Sequence, residues 1–217
     1  YLEQFDKDDD KFLSTAERNA VKTIDVSEGY NGQKITSLKG IEFFPNLETL
    51  WCYENQLTSL DVSKNPELNE LRCHENQLTS LDVSENTKLT ILTCGTNKLT
   101  SLDVSQNTAL KGLSCSNNQL TELDVRQNAE LVNLYCSDNQ LTELDVSRNN
   151  KLFRLDASNN CLTNLNVDNT SITIFDSNSK FAAKSNTYPI SVGSDRTFDL
   201  STLPGKFDVT KATKWNG

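Results

Sequence analysis

Leucines return along this chain at intervals that neither one helix nor one strand produces. Leu47, Leu50, Leu57 and Leu60 are echoed by Leu68, Leu71, Leu78 and Leu81, and then by Leu89, Leu92, Leu99 and Leu102, each set 21 residues after the last. Further sets begin at Leu110, Leu131 and Leu152. The first five follow one formula, L-x-x-L-x-C-x-x-N-x-L-T-x-L-D-V-x-x-N. The sixth is degenerate, with Ala157 in the cysteine place and Asn166 in the aspartate place. A divergent copy precedes them (Val21, Ile24, Val26, an insertion, then Ile35, Leu38 and Ile41), and a half-copy follows at Ile172, Phe175 and Ser177. Decay at both ends is expected of terminal repeats that cap a stack. One 21-residue unit cannot bury its own leucines, but stacked units shield one another.

Around "LETLWCYEN" apolar and outward positions alternate, which is the period of a strand. The alternation predicts a short strand near residues 49–53 and another at every 21-residue step. Stacked strands of this kind form a parallel sheet rising roughly 4.8 Å per coil.

The formula, carried by Leu50, Cys52, Asn55 and Leu57 and their counterparts, resembles leucine-rich repeats. It is similar to the nested 21-residue class of bacterial surface proteins, in which both halves of the unit follow L-x-x-L-x-L-x-x-N. The resemblance spans about residues 21–175. It implies a mostly β, right-handed solenoid with parallel strands on the concave face, a small helical N-terminal cap over residues 1–20, and an irregular β cap over residues 176–217. It also implies a secreted or cell-surface location, and by itself names no ligand.

The repeated columns divide by chemistry. Cys52, Cys73, Cys94, Cys115 and Cys136 share one inward position and read as small buried hydrophobes with free thiols. Side chains aligned in one column do not reach the twist of a disulfide, and a metal needs ligands that converge. Cys161 is offset to an outward position. Asn55, Asn76, Asn97, Asn118, Asn139 and Asn160 read as a ladder satisfying backbone groups where the chain turns out of the strand. Asn65, Asn86, Asn107, Asn128 and Asn149 are expected to do similar work at the other turn. Asp61, Asp82, Asp103, Asp124 and Asp145 read as solvated acids bonded to nearby hydroxyls and amides. At about 5 Å in water their mutual repulsion is only about 1 kcal/mol, so no cation is needed to hold them together.

The outward positions beside the strands vary. One column reads Trp51, Arg72, Thr93, Ser114, Tyr135, Asp156, and the next reads Tyr53, His74, Gly95, Ser116, Ser137, Ser158. Trp, Tyr and Arg are enriched where partners bind tightly. Trp51, Tyr53, Arg72 and His74, with Tyr135 farther along, are therefore the candidate partner-binding residues. The competing role for Trp51 and Tyr53 is to cover the join between cap and solenoid.

A second motif, "DKDDDKFLSTAE", resembles a calcium-binding EF-hand loop. Asp6, Asp8, Asp10, Ser14 and Glu17 fall at the oxygen-donor positions, and Phe12 falls where a backbone carbonyl serves. The resemblance implies a structural Ca²⁺ held by these six residues. Lys11 stands where the pattern has glycine. Ser14 and Glu17 also fit a capping box opening a helix that would set Ala16, Ala20 and Val21 against the first coil. Beyond Phe175 the stretches "TYPISV" and "RTFDLSTL" read as short strands, with Phe198, Phe207 and Trp215 as packing residues.

Composition narrows the function. A net charge of −9 argues against a grip on nucleic acid or anionic membrane, and no apolar run has the length of a membrane span. His74 is the one histidine, and neither a nucleophile elbow, a phosphate loop nor a zinc signature appears, so no enzyme is expected. The chain lacks methionine, which reads as a fragment of a longer protein. The expectation is a monomeric extracellular recognition module that binds a protein or glycan on its concave face. The alternative is a spacer without a ligand, and a polysaccharide-acting enzyme ranks below both.

Overall fold

The computed structural model describes residues 5–29, 32–167 and 169–172. It is a parallel-strand solenoid. After a short helix α1 (Thr15–Ala20) come strands β1 (Thr23–Asp25), β2 (Thr49–Trp51), β3 (Glu70–Arg72), β4 (Ile91–Thr93), β5 (Gly112–Ser114), β6 (Asn133–Tyr135), β7 (Glu143–Asp145), β8 (Arg154–Asp156) and β9 (Asn164–Asn166). A 3-10 turn at Ile41–Phe43 sits in the inserted stretch between β1 and β2. Seven strands form one parallel sheet in the order β1-β2-β3-β4-β5-β6-β8, while β7 and β9 pair on their own. Leu50 lies opposite Leu71, Leu71 opposite Leu92 and Leu92 opposite Leu113, so register follows the leucine period directly.

Each strand is shorter than the sequence suggests. The ladder assigned to β2 ends at Trp51, and Cys52 and Tyr53 run on past it, with the Cys52 N–H donating to the Arg72 carbonyl at 2.8 Å. Leu47, Leu50, Cys52, Leu57 and Val62 are fully buried, as are their counterparts in the next three coils. Burial of each leucine is worth about 1.5–3 kcal/mol. Because the same set recurs per coil, one continuous core runs the length of the stack.

The chain leaves each strand through a residue with left-handed backbone. Glu54, Glu75, Thr96, Asn117, Asp138 and Asn159 have φ between 52° and 57°. This twist aims successive N–H groups at the next coil: Thr96 N donates to Ser116 O at 2.8 Å and Asn97 N to Asn117 O at 3.2 Å. The following asparagine then locks the turn.

At the N-terminal end the expected helix face is wrong. Ala16 and Ala20 are exposed, and the inward residues are Glu17 and Val21. Glu17 turns inward because backbone donors of the loop and of the helix cap converge on its carboxylate. The strands and packing residues expected in 176–217 lie outside the described residues, as do Phe175 and Ser177.

Candidate functional site

The repeated columns make scaffold. The five aligned cysteines are buried with free thiols, and Cys161 is exposed. Burial pushes the Cys52 and Cys94 thiols up to about 12, which keeps them protonated and poorly nucleophilic near neutral pH. Each aspartate of the acidic column closes a turn on the residue two places on. Asp61 Oδ1 accepts from Ser63 N at 3.0 Å and Asp103 Oδ1 from Ser105 N at 2.8 Å. Asp124 also takes the Arg126 guanidinium, which brings its carboxyl down to about 2.

On the sheet face the outward residues of β2 and β3 assemble into two adjoining pairs. In the first, the Arg72 guanidinium lies 5.1 Å from the centre of the Trp51 ring, and Glu70 ties both together. Glu70 Oε1 accepts from Trp51 Nε1 at 3.0 Å and from Arg72 Nε at 2.5 Å. In the second, His74 stacks on Tyr53 with ring centres 4.6 Å apart and planes 11° from parallel. The ring's Nδ1 lies 3.2 Å from Thr93 Oγ1, so the stack reaches a third coil. All four rings and cations are partly exposed. Strand alternation explains the grouping: residues two apart share a face, and residues 21 apart are neighbours on adjacent coils.

Trp51 and Tyr53 adjoin the β1 coil through their backbone carbonyls, which accept from Val26 N and Glu28 N. Each bridges forward to the next coil through a cation–π or stacking contact. Tyr135 is exposed at 37% but stands on β6, three strands from β3 in the sheet order. It is not part of the β2–β3 cluster. Between them β4 presents Ile91 and Thr93 and β5 presents Gly112 and Ser114, with Gly95 and Ser116 just past the two strands. A side chain at Gly112 would enter open space, whereas one at Gly95 would strike the Ser116 carbonyl at 2.9 Å.

Two members of the cluster escape a reading of aromatic and cationic types alone. Glu70 is one, and its signal is its place two residues before Arg72 on the same strand face. Thr93 is the other, and nothing in the sequence distinguishes it from the neighbouring hydroxyl residues.

The N-terminal loop brings Asp6, Asp8 and Asp10 together, with one carboxylate oxygen from each within 4.8 Å of the others. Asp6 Oδ2 accepts from Lys11 N at 2.8 Å, while Asp6 Oδ1 is buried without a hydrogen-bond partner. Lys11 adopts φ 69°, the left-handed backbone that glycine would take there without strain. The carboxyl of Asp8 is raised, by desolvation first and then by Asp10 and Glu17. Ser14 and Glu17 are engaged in the cap. Glu17 Oε1 accepts from Lys7 N at 2.6 Å and Oε2 from Ser14 N at 2.8 Å, while Ser14 Oγ accepts from Glu17 N at 3.2 Å. The donors from Lys7 and Ser14 lower Glu17 to about 2. The Phe12 side chain points to solvent, 76% exposed.

No protein-family model matches the chain, and neither does any curated protein. Solved structures do. The functional domain of InlJ from Listeria monocytogenes, described as including a cysteine ladder, is 38% identical over 76% of this chain and 38% of its own length, with a TM-score of 0.63. An internalin (inlF) from the same organism is 19% identical over 73% of this chain and 58% of its own length, with a TM-score of 0.55. The LRIM1/APL1C complex matches at 23% identity over 72% of this chain and 31% of that one, with a TM-score of 0.63. The chain thus spans between about a third and three fifths of these neighbours. Among the described residues no helix is long and apolar enough to cross a membrane. The chain has the leucine-rich-repeat solenoid fold, and its structural neighbours include internalin-type bacterial proteins.

Proposed function

We propose that the chain is an extracellular recognition module of a bacterial surface protein, of the nested 21-residue leucine-rich-repeat class, and that it takes a protein partner on its sheet face. One observation carries this: the outward columns break their small, polar run at β2 and β3, where Trp51, Arg72, Tyr53 and His74 form two interlocked pairs. A spacer has no use for such a cluster on an otherwise uniform scaffold. A protein partner suits it better than a glycan, because one face of each aromatic ring is already covered by Arg72 or His74, leaving edges and charge for recognition. Tyr135 is read as a secondary contact across β4 and β5. No catalytic role enters, since the column carboxylates close their own turns and the aligned thiols are buried.

The test replaces Trp51, Tyr53, Arg72 and His74 together and screens wild type and variant on arrays of extracellular proteins and glycans. Protein hits lost in the variant, at an unchanged circular dichroism spectrum, support the proposal. Hits that persist place recognition elsewhere, and an array without hits favours the spacer.

We also propose that the N-terminal loop, an EF-hand-like cap, holds a structural Ca²⁺. The partnerless buried oxygen of Asp6, facing a loop where Asp8 and Asp10 crowd together, suits a hard cation that prefers oxygen ligands. Asp6, Asp8 and Asp10 are the carboxylate ligands, with the Phe12 carbonyl beside them. Ser14 and Glu17 serve as the helix cap. Calorimetry should then give Ca²⁺ binding that disappears in Asp6→Asn and survives, weakened, in Glu17→Gln. Absence of heat and of any Ca²⁺-dependent rise in melting temperature sinks the site.

A further inference from the structure

His74 is the chain's only histidine, and it stands inside the face assigned above to a partner. We infer that His74 makes this face pH-responsive: protonation of its ring fixes Thr93 Oγ1 as an acceptor, sets a second cation beside the Trp51–Arg72 pair, and weakens capture of a protein docked there. The inference rests on the recognition role of this face.

The geometry supplies the argument. The imidazole is held nearly parallel to Tyr53 on one side, and its Nδ1 meets Thr93 Oγ1. A neutral ring has one donor and one acceptor nitrogen, so the hydroxyl can serve either role. A protonated ring has two donors, and the hydroxyl must then accept. Protonation also adds a second cation to a face whose first, Arg72, is committed to Glu70 and to the Trp51 ring.

The charged groups acting on the ring come from two coils. From its own coil these are Glu75, which favours the charged ring, and Arg72, which opposes it; from the preceding coil Glu54 favours it. Lys34 donates to the Glu54 backbone carbonyl at 2.7 Å. The β4 coil contributes Thr93 and Gly95, neither of them charged. Desolvation is the largest influence, and the net result holds His74 below its ordinary value. A histidine depressed in the folded state contributes stability that is complete above about pH 6.5 and is lost as pH falls through the lower midpoint. A docked protein removes still more water from the ring and favours the neutral form further. Binding therefore releases a proton, and on the acid side capture weakens tenfold for each pKa unit by which docking lowers the midpoint.

The test needs no identified partner. The Cε1–H resonance of His74 is followed by NMR from pH 8 to 4.5 in the full chain, and Trp51 emission is followed in a Trp215→Phe background. The expected result is a His74 midpoint below about 6.5. A step in Trp51 emission is expected at that same midpoint, absent once His74→Phe is added, since phenylalanine keeps the stack without the titration. Trp51 emission that stays flat while His74 titrates, or a midpoint at or above the ordinary value, overturns the inference. Neither readout involves binding, so a partner screen without hits counts against the recognition role alone. Any hit is measured again about one pH unit below the midpoint found by NMR, where unchanged capture also overturns the proton linkage.

Discussion

Two columns of asparagine run through this solenoid, equal in residue type and period, and they carry different loads. Asn97 stands for the first. Its Oδ1 accepts from Leu78 N of the preceding coil at 2.9 Å, and its Nδ2 donates to the carbonyls of Cys73, Cys94 and Gly95. Asn107 stands for the second. Its Nδ2 donates to Val83 O and Asn86 O, both at 2.9 Å on the preceding coil, and its Oδ1 has no partner. The same orphan oxygen recurs at Asn65, Asn86, Asn128 and Asn149. The first column uses both ends of the amide to join coils, while the second uses only the donor end, in full burial. The number of asparagines in a ladder is thus a poor guide to what each supports; which backbone group would be left alone without it is a better one.

The sharpest way to break the comparison is to remove the donor and keep the shape. Asn107→Asp sets a fully buried carboxylate oxygen against two carbonyls, at an expected cost of about 4 kcal/mol or more. Asn97→Asp keeps the acceptor that Leu78 N needs, and its half-buried site admits water, so about 2–3 kcal/mol is expected. The carboxyl that Asn107→Asp introduces would titrate well above its unfolded value. Its folded state therefore binds more protons, and the variant regains stability as pH falls. Urea melts at pH 7 and pH 5 measure both effects. Equal losses at the two sites would mean that the orphan oxygen is not the distinguishing feature.

Alanine should invert the order. Asn97→Ala leaves Leu78 N without its acceptor, although Cys73 O keeps Asn76 Nδ2. Asn107→Ala leaves nothing unpaired, because Val83 O still receives Asn86 N and Asn86 O still receives Leu89 N. Loss of the partnerless Oδ1 is even a small gain. We expect about 3 kcal/mol for the first and about 1 for the second in urea melts.

Much of this architecture is legible as arithmetic. A period of 21 places Leu50 beside Leu71 and puts Tyr135 three coils beyond Arg72, which is why it stays apart from the cluster. The free, buried cysteines follow from the same column logic. Other features are hidden because periodicity reports where a residue points and not what it meets there. Glu17 reads as the polar side of a short helix, yet convergent N–H groups of Lys7 and Ser14 draw it inward in place of Ala16 and Ala20. Glu70 looks like one more variable position until Trp51 and Arg72 both bond to it. The two asparagine columns look equivalent because a sequence carries no record of which end of an amide is used.

The smallest effect concerns the residue that feeds the first ladder. Every asparagine of that column follows a left-handed residue, and the type there ranges from asparagine to glutamate to threonine. Asn117 and Asn159 take this backbone at little cost, but Thr96, at φ 52°, is β-branched and resists it. Its own N–H is already satisfied by Ser116 O, so nothing in the ladder needs the hydroxyl or the branch. Thr96→Asn should therefore stabilise the chain by about 0.5–1 kcal/mol with an unchanged m-value. Thr96→Gly should gain less, because glycine relieves the strain but widens the unfolded ensemble. A loss in both variants would mean that Thr96 makes a contact worth more than its strain. The first column would then depend on its leading residue as well as on the asparagine, and the contrast with the second would widen.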